Sequence, residues 1–148
     1  MSLPVLVVVI WLALVGSLDQ APEPGTAAPR VSECMQEGAQ LVGSQPIAAR
    51  GKLHLPKKRK HVQPSLPSLP PDTTAALTGY VWIGEALIDT RGRTVRIWTL
   101  REPKLTPARP DITDAITAAV QQWEYEPLLI DKEARPFCKI VTFTLDWE

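Results

Sequence analysis

Two cysteines, Cys34 and Cys138, and two histidines, His54 and His61, are the side chains of this 148-residue chain best suited to nucleophilic or metal chemistry. A Cys-His nucleophile needs its base close in a folded core, and a metal centre needs ligands at spacings such as HxxxH or CxxC. Neither pattern occurs, because both histidines lie in a Pro-rich stretch and the cysteines stand far apart. Glu124 and Glu126 flank Tyr125 and resemble a carboxylate pair, but strand-like spacing beside Pro127 marks a solvated edge instead. No Gly-rich phosphate loop is present. The expectation is a protein that is not an enzyme, takes no cofactor and holds no metal.

The cysteines have a second chemistry. If the chain is exported in a bacterial host, both lie in an oxidising compartment, either as two unpaired thiols or as a Cys34–Cys138 bridge, the bridge being preferred. Such a bridge closes a loop of about 100 residues and contributes up to ~4.7 kcal/mol in the chain-entropy view.

Export is what the first residues suggest. A nearly continuous apolar run extends from Leu3 to Leu18 and gives way to polar, Pro-rich sequence. As a helix it reaches ~24 Å, short of the ~30 Å hydrocarbon core, which favours a signal peptide, cleaved after Ser17, over a membrane anchor. No Lys or Arg precedes the run, so the anchor stays open as the alternative for residues 1–18. The 16 basic and 16 acidic residues balance, so no net field argues for a nucleic-acid partner.

Residues 19–62 show no sustained hydrophobic period, carry many of the 15 prolines, and are expected to be a largely irregular stalk. Within it, Lys57-Lys58-Arg59-Lys60 is read as solvated linker charge, since no aromatic platform accompanies it. The folded domain is expected over residues 63–148.

There the pattern tightens. Tyr80–Asp89 and Thr94–Leu100 read as two strands of a hairpin turning at Gly92. Gly84 interrupts the alternation, so a β-bulge at Gly84 and Glu85 is expected to hold Val81, Ile83, Ala86 and Ile88 on one inner face. Trp82 and Trp98 then fall on the other face as a partly exposed aromatic patch, unless the stalk folds back over them. Asp111–Trp123 reads as a helix with Asp111 as its N-cap and an apolar stripe of Ile112, Ala115, Ile116, Ala119, Val120 and Trp123. Trp123 closes the core, Tyr125 covers the same edge with its hydroxyl wet, and Pro127 turns the chain toward a last strand, Pro136–Leu145. The order strand, strand, helix, strand gives a two-layer α+β domain: a three-stranded antiparallel sheet packed by one main helix after a Pro-rich stalk.

Gln63-Pro64-Ser65-Leu66-Pro67, then Gly79, Gly92 and Gln122-Trp123-Glu124-Tyr125-Glu126-Pro127, resemble the C-terminal domain of the TonB family over roughly the last 85 residues. That family's pattern is close to Q-P-x-Y-P, a glycine, a hairpin with glycine, a helix ending in W-x-Y-x-P, and a final strand. Leu66 replaces the family's Tyr, and Pro70 and Pro71 stand where relatives carry a short helix, which predicts its loss. The resemblance implies a cell-envelope coupling protein of the periplasm, either anchored to the inner membrane or soluble after cleavage. Its partners would be an outer-membrane TonB-dependent transporter and an inner-membrane proton-channel complex. The alternative is a soluble periplasmic adaptor without energy transduction. Binding of a TonB-box-like segment by β-strand addition would fall to Gln63, Pro64, Leu66, Pro67, Lys139, Ile140, Val141 and Phe143, with the last strand as the exposed edge.

Overall fold

The computed structural model describes residues 31–49 and 56–146. The expectations for Leu3–Leu18 and the position of His54 lie outside the described residues. The chain forms α1 (Glu33–Val42), β1 (Ile47–Ala48), β2 (Lys58–Lys60), α2 (Pro71–Leu77) and β3 (Val81–Ile88). It continues with β4 (Thr94–Arg101), α3 (Pro110–Val120), β5 (Glu124–Tyr125), β6 (Leu128–Ile130), β7 (Glu133–Arg135) and β8 (Phe137–Thr144). Among the described residues the class is α+β: three helices, a four-stranded sheet in the order β1-β8-β3-β4, and two small strand pairs, β2-β5 and β6-β7.

The expected three antiparallel strands are β4, β3 and β8, but the sheet is mixed, because β1 adds parallel to β8 at Phe137 and Cys138. The span expected to be irregular stalk therefore contributes α1, β1 and β2 to the folded unit. Ser32 starts α1 by accepting a hydrogen bond from the Met35 amide at 3.3 Å. The short helix expected to be lost is also present as α2. Pro71 occupies its first turn, where the missing N–H has no partner to lose and the fixed φ is already helical.

In α3 Ile112, Ile116, Ala119 and Val120 are buried as expected, Ala115 is half-buried, and Trp123 is buried three residues beyond the helix, which ends at Val120 rather than at Trp123. Its start differs. Pro110 is the first helical residue and Arg109 the cap position, so Asp111 lies inside the first turn, where it ion-pairs with Arg109 at 2.7 Å rather than capping.

The bulge expected in β3 is in β4 instead. β3 pairs without interruption along β8, while the register against β4 skips Leu100 between Ile83 and Gly84 and Val95 between Leu87 and Ile88. Both skipped side chains are exposed, as suits bulges on an edge strand. Glu85 is buried as a result, and Trp82, Ala86 and Ile88 face the α3 core. Gly84 has a different purpose: a Cβ there would collide with the Trp82 ring, so the glycine makes room for the indole.

The expected exposed Trp patch is absent. Trp82 is 0% exposed in the main core, and Trp98 is 7% exposed on the opposite face, in a cluster with Cys34, Leu87 and Cys138. α1 packs on β3 and β4 there, so the preceding chain folds back over Trp98. Cys34 and Cys138 are joined as a disulfide with their Cα atoms 6.1 Å apart.

Candidate functional site

The helix exit is held by backbone and side-chain bonds to the hairpin. Thr94 Oγ1 donates to the Trp123 carbonyl at 3.0 Å, and Gln121 Nε2 donates to the Thr94 carbonyl at 2.7 Å. The hairpin turn also docks here, with the Tyr125 amide donating to the Gly92 carbonyl at 2.7 Å. Gly92 has φ 83°, and a Cβ on it would run into the Tyr125 carbonyl, so both the turn and this close approach require glycine.

Against this exit lies the segment before α2. β2 pairs with β5 at Lys58↔Tyr125 and Lys60↔Glu124, and the Glu126 amide donates to the Lys57 carbonyl at 2.8 Å. Trp123 Nε1 donates to the Val62 carbonyl at 2.8 Å. Lys58 Nζ sits 3.3 Å from the centroid of the Trp123 ring, and the His61 ring lies 4.7 Å from it, tilted by 35°. Burial, and then the nearby Lys139 charge, lower the Lys58 pKa. The basic run is thus largely solvated as expected, but Lys58 packs on Trp123 in addition.

Tyr125 departs from expectation. It is 1% exposed, packs edge-on to Phe137 at 6.1 Å, and its hydroxyl has no hydrogen-bond partner among the described residues. Burial pushes the phenol up to about 12. Lys139 Nζ stands 4.9 Å from the Tyr125 ring, and burial lowers its pKa.

The last strand presents two different edges. The Leu145 amide donates to the Tyr80 carbonyl at 2.8 Å, so odd-numbered residues of β8 direct their backbone groups to β3. Even-numbered residues face the other way. At the start of β8 that second edge is taken by β1, with the Ile47 amide on the Pro136 carbonyl and the Ala49 amide on the Cys138 carbonyl, both 3.0 Å. The exposed edge expected for the last strand is therefore only half free, because β1 occupies its start. Beyond it, at Ile140, Thr142 and Thr144, no strand among the described residues pairs with β8.

A groove of about 440 Å³ runs beside this open half-edge. Thr142, Phe143, Thr144 and Asp146 form one wall, Lys58, His61, Gln63, Pro64 and Leu66 the other, and Trp123 also lines it. A larger concavity of about 630 Å³ lies elsewhere, lined by Tyr80, Glu102, Lys104 and Thr99–Arg101 of β4. It contains none of the Q-P or W-x-Y-x-P residues.

Of the residues expected to bind a partner, Gln63, Pro64, Leu66 and Phe143 meet in the groove. Ile140 is 38% exposed on the open edge, whereas Val141 is 4% exposed in the core and offers no side chain. Pro67 is half-buried and does not line the groove. Gly79 follows α2 and donates its amide to the Leu145 carbonyl at 2.8 Å, and Pro127 separates β5 from β6. His61 and Lys58 are groove residues that sequence reasoning left in the stalk. The only signal was their position a few residues before Gln63.

Neither the protein-family models nor the curated proteins contain a match to this chain. The folded unit is a disulfide-bonded α+β domain, a type suited to an extracytoplasmic, oxidising compartment. Among the described residues no helix is long and apolar enough to cross a membrane.

Proposed function

We propose that this chain is a periplasmic protein-coupling module of the TonB type, which binds an extended segment of an outer-membrane transporter as an added strand on β8. The observation that carries this reading is the half-open edge: Ile140, Thr142 and Thr144 turn their backbone groups away from β3 beside a groove lined by the Q-P segment. An incoming strand gains main-chain hydrogen bonds there, and its alternate side chains meet the groove. The order hairpin, helix, last strand supports the same reading, as does the contact between the Trp123 exit and the segment before Gln63. Coupling to an inner-membrane proton channel belongs to this proposal through the resemblance. A soluble adaptor without energy transduction is the second reading, favoured by the apolar run Leu3–Leu18, which as a helix is short of a membrane span and suits a cleaved signal peptide.

The test is the affinity of a synthetic TonB-box-like peptide for the wild-type protein and for Ile140→Pro. Proline removes the amide on the open edge and leaves the β3 ladder intact, because residue 140 does not bond toward β3. Loss of one such bond should weaken binding about tenfold. Equal affinity in both proteins would contradict the assignment of this edge.

A further inference from the structure

The sheet face opposite the main core holds a cluster that the groove does not use. Cys34 comes from α1, Cys138 from β8, and Glu85 from β3, where its register partner on β8 is Ile140 and Cys138 is its diagonal neighbour. The two sulfurs and a Glu85 carboxylate oxygen all lie within 4.8 Å of one another. Glu85 is 3% exposed, and its Oε2 has no hydrogen-bond partner among the described residues. A carboxylate buried without a partner is costly, and a cation arriving beside it removes that cost.

We propose that Cys34, Cys138 and Glu85 form a redox-gated site for a thiophilic divalent cation, with zinc as the ion. Zinc accepts two thiolates together with a carboxylate, whereas calcium and magnesium take the carboxylate oxygen but not the thiolates. Zinc–ligand bonds of about 2.0–2.3 Å place neighbouring ligand atoms roughly 3.5–4 Å apart, so the two sulfurs, bonded to each other in the oxidised protein, must separate on reduction, while a Glu85 oxygen already lies within 4.8 Å of both. In the oxidised protein the sulfurs are bonded to each other and cannot ligate. A dithiol reductant supplies two electrons and two protons to the Cys34–Cys138 bond, giving two thiols and its own disulfide. Zinc then displaces the two thiol protons and takes both thiolates together with the Glu85 carboxylate. Entry is tied to the same step, since the bridge is the covalent link between α1 and β8. The disulfide and the metal are thus alternative ties between the same two elements. This inference does not depend on the groove, and its failure leaves the strand-addition reading untouched.

The test uses the full chain, reduced by a phosphine without oxygen, with Co²⁺ as an optical probe and Zn²⁺ as competitor. The expected result is one equivalent per chain, a thiolate-to-cobalt charge-transfer band in the reduced protein, and none in the oxidised protein. Glu85→Gln should weaken binding about tenfold or more, and the Cys34→Ser/Cys138→Ser double variant should abolish the band. X-ray absorption of the zinc-loaded reduced wild type should show two sulfur neighbours with lighter atoms completing the shell. This readout stands even if a variant fails to fold. Absence of the band in reduced protein, folded or not, overturns the proposal. So does unchanged affinity in Glu85→Gln, or a zinc shell without two sulfurs.

Discussion

Trp123 donates its indole N–H to the backbone carbonyl of Val62 at 2.8 Å, across 61 positions of sequence. This bond ties the helix exit to the segment that forms one wall of the groove, so one side chain serves both the core and the candidate site. With its ring also under Lys58 and beside His61, Trp123 is the residue whose loss should be felt most widely.

Trp123→Ala should destabilise the domain by about 3–5 kcal/mol, a large share of what a domain of this size has. Trp123→Phe keeps much of the packing but loses the bond to Val62, and should cost clearly less. Urea unfolding of the two variants checks both, and equal losses would mean that ring volume is not what matters there.

Gly84→Ala should cost about 1–3 kcal/mol, because the added methyl meets the Trp82 ring in a filled core. The loss should be largely relieved in a Gly84→Ala/Trp82→Phe double variant relative to Trp82→Phe alone. A double-mutant cycle with no coupling would contradict the account of this glycine.

Tyr125 gives a pH dependence with a definite sign. Burial holds its phenol at about 12 in the folded protein against 10.0 for the unperturbed group, so the folded state keeps the proton longer. Its contribution is fully present below pH ~10 and is lost as pH rises through ~12, a fall of about 2–3 kcal/mol. The lowered pKa values of Lys58 and Lys139 act in the opposite direction, since deprotonation relieves their burial. Comparison with Tyr125→Phe isolates the phenol. That variant should lack the alkaline loss and be at least as stable at pH 7, because it removes a hydroxyl without a partner. Identical alkaline profiles would refute the assignment.

Reducing the Cys34–Cys138 bridge in the absence of metal should lower stability by up to ~4.7 kcal/mol, given the long loop it closes. Hydrogen exchange should rise first in α1 and β1, which the bridge fastens to β8. Uniform exchange throughout the domain would show that the bridge does not act locally.

Periodicity made the hairpin, the main helix and the last strand legible. The stripe from Ile112 to Trp123 follows helical spacing, and Phe137, Val141 and Leu145 alternate as a strand does. The faces of β3 were not legible. Val81–Ile88 is apolar on both faces, since α3 covers one and α1 part of the other, and the single acid, Glu85, looks solvent-facing but is buried. α1 gave little signal because its buried positions are Cys34 and Gly38, a weak apolar pattern that a helix and an irregular linker share. β1 and β2 are too short to carry a period of their own. The groove was half legible. Gln63, Pro64, Leu66 and Phe143 were assigned from the resemblance, while Lys58 and His61 reach it through a strand pairing that sequence spacing does not announce.

Strand addition is tested most directly by amide hydrogen exchange of the oxidised protein with and without a TonB-box-like peptide, read residue by residue along β8. The prediction is new protection at Ile140, Thr142 and Thr144, while Lys139, Val141 and Phe143, already paired to β3, change little. Peptide binding that leaves the three even-numbered amides exchanging as before would contradict the assignment of β8 as the binding edge.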